Sequence, residues 1–204
     1  MIKEIRKKFK DFTPYINGWE EMRKAAVAIM IIEEDETEKI IFQVRAKNMK
    51  EQPGDISFPG GKIEKNETPK NAVIREIFEE IGLEKNDFEI VAPLDIFVTH
   101  YGLIIHLFLC YVKNIDKIKI NKSEVDHLFS VPINFLINNK PLIFDNEITV
   151  NRNPNFPFHL INNGKKYKFK NGNYPSLFYI YNEYVIWGIT AKILENFIKY
   201  LMKK

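Results

Sequence analysis

One segment constrains this chain more than any other, because residues 61–83, GKIEKNETPKNAVIREIFEEIGL, place three carboxylates on one predicted helix. At about 100° per residue, Glu76 and Glu80 lie roughly 40° apart around that helix, and Glu79 lies about 60° to the other side. The apolar residues fall on the opposite side: Val73, Ile74, Ile77, Phe78 and Ile81. The pattern predicts one face that packs and one face that collects negative charge.

Residues that favour helix ends bound this segment. Thr68 suits the N-cap, and Pro69 suits the first helical position, where its missing N–H costs nothing. Gly82 favours a C-terminal stop. We therefore expect the helix to lie between Thr68 and Gly82.

The clustered carboxylates are costly without a counter-ion. Like charges at helical spacing repel one another, and their desolvation in a cleft costs more. A hard divalent cation removes this cost. Carboxylate oxygens suit Mg²⁺ or Mn²⁺, and Mg²⁺ also binds substrate phosphates, so the donors indicate phosphate chemistry. The simpler alternative is an acidic, solvated helix face, which is the commoner meaning of an E-x-x-E-E run taken alone.

The whole segment also fits a longer pattern, G-x5-E-x7-R-E-U-x-E-E-x-G-U with U a bulky apolar residue, from Gly61 to Leu83. It resembles the signature of the Nudix hydrolases, enzymes that cleave a nucleoside diphosphate linked to a further group X. The resemblance implies an α/β fold, an α/β/α sandwich with a central mixed sheet and a catalytic loop-helix-loop. Strands interleaved with helices in the sequence pattern agree with an α/β fold. We expect a single domain over residues 1–204.

The resemblance also assigns roles to residues of the segment. It implies that Glu76, Glu79 and Glu80 hold the catalytic metals. Arg75 and Glu67 are the expected supporting residues, because a guanidinium can fork to a carboxylate and orient the site. The alternative for Arg75 and Glu67 is an ordinary surface salt bridge.

A second stretch, residues 40–61 with the sequence IIFQVRAKNMKEQPGDISFPGG, narrows the substrate class. It resembles the companion motif of the coenzyme A diphosphatase branch, approximately L-L-T-x-R-S-x-x-x-R-x-x-x-G-x-x-x-F-P-G-G. Arg45 matches the arginine of this motif, and the FPGG end matches its last four positions. Ala46 stands where Ser is usual and Lys50 where Arg is usual, so a bidentate fork to phosphate is lost at residue 50.

This second stretch reads as a short apolar strand, then a basic loop, then a second strand that ends at Phe58. Coenzyme A carries a diphosphate and a 3′-phosphate, so a loop rich in donors is chemically apt. Side chains and exposed N–H groups that can meet phosphate oxygens are predicted at Arg45, Lys47, Lys50, Gly60 and Gly61. The alternatives are solvated loop cations and an ordinary Gly-Gly turn.

A third feature lies near the C-terminus, where residues 186–191, IWGITA, look like the W-G-x-T-A element of the same branch. It stands at or near the start of a predicted helix that runs towards Tyr200. An apolar stripe on that helix is predicted as core rather than pocket: Ile189, Ile193, Phe197 and Leu201.

The predicted reaction is attack by water on a diphosphate phosphorus, which needs a proton acceptor. One of the metal-holding glutamates is one choice. Glu124, in the stretch KSEV, is our candidate for a separate base, and a helix-capping or surface role is its alternative. The four histidines have no mutual ligand spacing, so structural or surface roles are their default.

For coenzyme A the resemblance implies the products adenosine 3′,5′-bisphosphate and 4′-phosphopantetheine, or its acyl form. ADP-ribose or a dinucleotide such as NADH is the alternative substrate within the family. A nucleotide-binding module without catalysis is the alternative of another class. Intact carboxylates at all three positions argue against that module.

Composition limits the remaining classes. The single cysteine, Cys110, excludes an internal disulfide and suits a reducing, cytoplasmic compartment; a buried structural thiol is favoured over a nucleophile. The net charge of +3 is small for a nucleic-acid binder. No apolar stretch reaches about 18 residues, so no membrane span is expected. A small-molecule substrate is the expected partner, and a homodimer is left open.

The coarse order of elements follows from apolar patterning. Residues 1–20 contain a basic amphipathic helix, which we predict to pack on the domain rather than lie on a membrane surface. Strands are predicted at 25–33, 39–44, 88–92, 95–99 and 103–112, with a hairpin at 100–102. A helical or loop passage is expected from about 121 to 132, then a short helix at 133–137. Residues 141–181 form an insertion, either a substrate-facing flap or a dimer contact.

Overall fold

A mixed β-sheet between two helical layers organises the structure, a computed structural model that describes residues 1–203. Its helices and strands, in chain order, are α1 (Ile2–Phe9), β1 (Arg23–Glu34), β2 (Thr37–Arg45), β3 (Ile56–Ser57), β4 (Gly60–Lys62), α2 (Pro69–Ile81), β5 (Phe88–Val98), β6 (Leu103–Val112), β7 (Val125–Pro132), α3 (Ile133–Asn138), β8 (Leu142–Phe144), β9 (Glu147–Ile148), β10 (Gly172–Asn173), β11 (Ser176–Tyr181), β12 (Tyr184–Trp187) and α4 (Gly188–Met202).

The main sheet runs in the order β3, β2, β1, β6, β5, with β4 paired to β1 and β7 paired to β2. β1 lies parallel to β6 and antiparallel to β2 and β4. The twelve residues of β1 serve two partners on one side, since β4 pairs residues 25–27 and β2 pairs residues 30–34. The predicted α/β class with a mixed sheet is confirmed.

Alternation along β1 sends side chains into a core on each face of the sheet. Ala26, Ala28 and Met30 belong to the core beneath α2. Ile29 belongs to the core beneath α4, together with residues of β2, β6 and β11. The two helices therefore lie on opposite faces, and the strands between them carry apolar residues on both sides.

The predicted ends of α2 are confirmed. The Thr68 hydroxyl accepts a hydrogen bond from the Asn71 N–H at 3.2 Å, and Pro69 begins the helix. Gly82 adopts a left-handed conformation with φ of 72°, and its N–H donates to the Phe78 carbonyl at 3.0 Å. The predicted packing face is wrong at Phe78, because that side chain is 55% exposed while Glu80 takes a buried position.

Two predictions for the middle of the chain are wrong. The helical or loop passage at 121–132 contains strand β7, which is antiparallel to β2 from Lys39 to Arg45. The two strands predicted at 88–92 and 95–99 are one strand, β5. Its pairing with β6 shifts register on both sides of Pro93, since a proline cannot donate to the ladder.

The N-terminal prediction is partly wrong. Helix α1 forms, but each of its residues is exposed, including Ile2, Ile5 and Phe9. Its many basic side chains keep it in water, and no apolar surface of the sheet lies against it in residues 1–203. The helix therefore does not pack on the domain.

Residues 141–181 form small elements rather than one long loop. β8 joins β11 and β12 in a three-stranded sheet, and β9 pairs with β10. None of the helices within residues 1–203 combines the length and the apolar character that crossing a membrane requires.

Candidate active site

The short strand β4 links the acidic helix to the sheet. The Gly60 N–H donates to Oε2 of Glu80 at 2.8 Å. A Cβ atom added to Gly61 would stand 2.5 Å from Oε2 of Glu76, so the strand backbone and that carboxylate are in direct contact. Glycine at both positions allows α2 to bring its carboxylates against the strand.

Glu80 is the most buried carboxylate of the helix, with 3% of its surface exposed. Nε2 of Gln43 donates to its Oε1 at 2.9 Å, in addition to the bond from Gly60. Burial raises the pKa of Glu80 to about 7, against the lowering effect of these two donors. Burial likewise raises the pKa of Glu76. Negative charge is therefore expensive at both positions.

Arg75 joins three carboxylates. Its guanidinium donates to both oxygens of Glu67, from Nε and Nη2, at 3.0 Å each. Its Nη1 donates to Glu76 and to Glu79, at 2.8 Å each. The bidentate fork to Glu67 holds the guanidinium fixed, as the sequence predicted for a supporting pair.

The donor chemistry of this cluster fits a hard divalent cation. Carboxylate oxygens are the ligands that Mg²⁺ and Mn²⁺ prefer, and a cation would offset the cost of charge at Glu76 and Glu80. Within residues 1–203, however, no three acidic, histidine or cysteine side chains are gathered around one point. Glu79 is instead 47% exposed in its side chain and paired with Arg75. The metal set therefore stays a prediction.

Glu124 lies beside the cluster. Its charge contributes to the raised pKa values of both Glu76 and Glu80. The side chain is half-buried, and Nδ2 of Asn121 donates to its Oε1 at 3.3 Å. The carbonyl of Glu124 also accepts from the Ala46 N–H at 2.9 Å, which fixes this loop against the end of β2. The candidate base is thus placed near the predicted metal ligands.

A cleft of about 640 Å³ opens on the other side of β4. Gly60, Gly61 and Arg45 line it. The predicted exposed N–H group is wrong at Gly60, because that N–H donates to Glu80. Its apolar wall comes from β1, β6 and α4 through Val27, Leu103, Ile105, Ile189 and Ile193. The predicted core stripe of α4 is confirmed at Ile193 and Phe197, which are buried, and wrong at Leu201, which is 46% exposed. Ile193 also borders the cleft.

Other predicted residues lie elsewhere. Lys47 and Lys50 are exposed on the loop after β2 and are absent from the lining of this cleft. Within the described chain, no residue of 141–181 lines it either. The structure thus brings Arg45, Gly60 and Gly61 together and leaves the two lysines apart.

Several residues of the site were missed from the sequence. Gln43 is 1% exposed and donates to Glu80 from within the short apolar strand that precedes Arg45. Arg23, Lys24 and Lys62 line the cleft with Arg45. Lys62 directly follows the Gly-Gly pair in the sequence, so its position next to the motif could have indicated a cation in the cleft.

Comparison with known proteins agrees with this geometry. A family model described as NUDIX domain matches residues 22–149. The peroxisomal coenzyme A diphosphatase ndx-8 of Caenorhabditis elegans is 26% identical over 113 residues, covering 53% of this chain and 48% of that protein. The peroxisomal coenzyme A diphosphatase NUDT7 of Mus musculus is 29% identical over 99 residues, covering 48% and 42%.

Among solved structures, an Ap4A hydrolase from C. elegans in a binary complex is similar, with a TM-score of 0.47 and 17% identity. The match covers 57% of this chain and 84% of that one. The chain spans about half the length of the curated relatives it matches. The family model, by contrast, matches well over half of the 204 residues. The predicted resemblance is confirmed, and the chain belongs to the Nudix family.

Proposed function

We propose that the protein hydrolyses the diphosphate bond of coenzyme A or acyl-coenzyme A with Mg²⁺ or Mn²⁺. The products are adenosine 3′,5′-bisphosphate and 4′-phosphopantetheine or its acyl form. Family membership supports a diphosphatase, and the printed activity of two relatives supports the coenzyme A branch.

One observation carries the proposal: strand β4 separates the acidic helix from a cationic cleft and contacts both. Gly60 donates to Glu80 and also lines the cleft with Gly61. A diphosphate lying against these glycines can approach the strand backbone closely, since neither residue has a side chain, and it meets the guanidinium of Arg45 on one side. The carboxylates of α2 stand on the other side.

Glu76, Glu79 and Glu80 are the proposed metal ligands. What a divalent cation supplies, when bound to such carboxylates, is a lower pKa for a coordinated water and neutralised charge on phosphate oxygens. Gln43 and Gly60 hold Glu80 in place through their N–H groups. Arg75 orients Glu76 and Glu79, and its fork to Glu67 keeps it fixed.

Glu124 is the proposed proton acceptor for the attacking water. The loop that carries it is fixed by the bond between its carbonyl and the Ala46 N–H. Its carboxylate is half-buried beside Glu76 and Glu80, where an acceptor near coordinated water is needed. Glu124→Gln should lower kcat with little change in KM.

A cytoplasmic location is part of the proposal, since a single cysteine suits a reducing compartment. The printed names of two relatives say peroxisomal. Fractionation of the source cells decides between these compartments.

A substrate panel tests the activity. With Mg²⁺ or Mn²⁺ present, coenzyme A should be split faster than ADP-ribose or NADH, with phosphopantetheine and adenosine 3′,5′-bisphosphate resolved by chromatography. Comparable rates on all three substrates would reduce the assignment to a general diphosphatase. Binding of nucleotides without turnover under any divalent metal would identify a binding module.

Substitution of the ligands tests the site. Glu79→Gln removes one charge from an exposed side chain, so the fold should survive while kcat falls at least about a hundredfold. Glu89→Gln, which changes an exposed carboxylate on β5, is the matched control and should keep full activity. Unchanged turnover of Glu79→Gln would remove that residue from the metal set.

A further inference from the structure

The cleft beside β4 has an excess of positive charge. Arg23, Lys24, Arg45 and Lys62 line it, against the single carboxylate of Glu51. No carboxylate among residues 1–203 lies within 4.0 Å of the cationic nitrogens of these four side chains. The Arg45 Nε is buried without an acceptor in the described chain, which leaves a costly unmet donor beside the cleft.

The sheet register brings two of these cations together. Lys62 stands opposite Ala25 in the β1 and β4 pair, and Arg23 precedes Ala25 by two residues on β1. Residues two apart share a face of a strand, and directly opposed residues share a face of a sheet. Arg23 and Lys62 are therefore diagonal neighbours on the face that Ala25 presents to the cleft.

Lys24 lies between Arg23 and Ala25 on the same strand, so its side chain leaves the opposite face of the sheet, the face of Ala26 in the core beneath α2. Its ammonium lies 3.9 Å from the centroid of the Trp19 ring, a cation–π contact that limits its mobility. The residue borders the cleft, but its side chain is not a member of the Arg23 and Lys62 pair.

The cleft carries more positive charge than the binding of a diphosphate requires. In the proposed function the diphosphate lies against Gly60 and Gly61, where Arg45 and metal ions share its charge. Arg23 and Lys62 then lack an anionic partner. A phosphomonoester carries about −1.5 to −2 charge at pH 7 and accepts several hydrogen bonds. One such group matches the paired cations of Arg23 and Lys62.

We propose that Arg23 and Lys62 form a second anion subsite in this cleft, which binds a phosphomonoester of the substrate separate from its scissile diphosphate. The subsite rests on the proposed function and deepens it. It selects coenzyme A, which has a 3′-phosphate, over otherwise identical nucleotides that lack one. The specificity determinant thus lies in β1 and β4, outside the motif that suggested coenzyme A.

The test compares coenzyme A with dephospho-coenzyme A, which differs only in lacking the 3′-phosphate. The wild-type protein should show kcat/KM at least about tenfold higher for coenzyme A, the size of one lost charge-assisted contact. Lys62→Gln and Arg23→Gln should each bring that ratio towards one. Lys113→Gln, an exposed lysine just beyond the far end of β6, removes the same charge and should keep the wild-type ratio.

Two results would overturn the subsite: equal kcat/KM of the wild-type protein for both substrates, or an equal fall for both in Lys62→Gln. Either would leave a coenzyme A diphosphatase without this determinant. If coenzyme A is not hydrolysed at all, the proposed function fails, and calorimetry decides the subsite separately. Adenosine 3′,5′-bisphosphate should bind at least about tenfold tighter than AMP, and only in proteins with intact Arg23 and Lys62. Equal affinity rejects the subsite.

Discussion

A single buried carboxamide, that of Gln43, determines how one glutamate of the acidic helix is held. Its Nε2 donates to Glu80 at 2.9 Å and to the Ser57 hydroxyl at 3.3 Å, while its Oε1 has no partner among residues 1–203. Gln43 and Glu80 are 1% and 3% exposed. Water therefore cannot replace a lost bond to the Glu80 carboxylate without rearrangement.

Replacing Gln43 by Leu should destabilise the protein by about 1–3 kcal/mol, because a buried carboxylate loses one of its two N–H donors. Urea unfolding followed by circular dichroism measures the change. Ser57→Ala removes the longer bond and leaves the one to Glu80, so it should cost less than half as much. Equal midpoints for Gln43→Leu and the wild-type protein would show that the carboxamide does not support Glu80.

Strand β4 shows how an element of three residues can control a site through the absence of side chains. Gly60 has φ of 146°, and a Cβ atom there would stand 2.3 Å from the Ala26 carbonyl oxygen. The three atoms nearest to a Cβ atom on Gly61 all belong to the carboxylate end of Glu76. Rigid backbone therefore excludes a side chain at residue 60, whereas a side chain at residue 61 is opposed by a movable carboxylate.

The two alanine variants of β4 should therefore affect different properties, namely stability for Gly60→Ala and turnover for Gly61→Ala. Gly60→Ala should lower the melting temperature, at a cost of about 1–3 kcal/mol, because neither its backbone conformation nor the Ala26 carbonyl can relax easily. Gly61→Ala should fold nearly as well and lose most turnover, since Glu76 must leave its place. Calorimetry and the coenzyme A assay separate the effects. If both variants lost stability and turnover to the same extent, these different roles of the two glycines would be contradicted.

The elements that the sequence predicted well are those with local causes. Helix α2 has its cap residue, first-turn proline and terminal glycine within its own segment, and its bounds matched. Strand β7 was missed because its pattern does not alternate, and it exists through antiparallel pairing with residues of β2 that lie 80 to 93 positions earlier in the chain. The break predicted within β5 reflects Pro93, a local signal that pairing with β6 overrides.

The site follows the same rule. The motif residues Glu76, Glu79 and Glu80 came from one continuous pattern, and so did the Arg75 and Glu67 pair. Residues that reach the site by strand pairing could not be found this way. Gln43 arrives from β2, and Arg23 and Lys24 arrive from β1, where sequence alone gives no distance to α2 or β4.

At the scale of the molecule, the sheet divides the interior into two cores. The chain's only cysteine lies in one of them, so its reactivity is a probe of that core. Cys110 lies on β6 in the core beneath α2, paired with Met30 of β1 and Ile90 of β5. It is fully buried, which confirms the predicted structural thiol. Exposure of this thiol requires that α2, which carries the predicted metal ligands, separates from the sheet.

Burial raises the pKa of Cys110 from an ordinary value of 9.0 to about 12. At pH 8 only about one thiol in ten thousand is then the reactive thiolate in the native state. Labelling by a disulfide reagent at pH 8 should therefore be at least about a thousandfold slower in the folded protein than in urea. Because the chain has one cysteine, mass spectrometry follows a single adduct.

The direction of this shift also sets a pH dependence. A raised pKa means that the folded state binds the proton more tightly, so its contribution to stability is complete below pH 9 and is lost as pH rises towards 12. Cys110→Ala lacks this contribution, so its free energy of unfolding should fall less steeply over that range than that of the wild-type protein. Tyrosines titrate equally in both proteins and cancel in the comparison. Parallel curves, or rapid native labelling at pH 8, would mean that the layer beneath α2 opens without unfolding of the sheet.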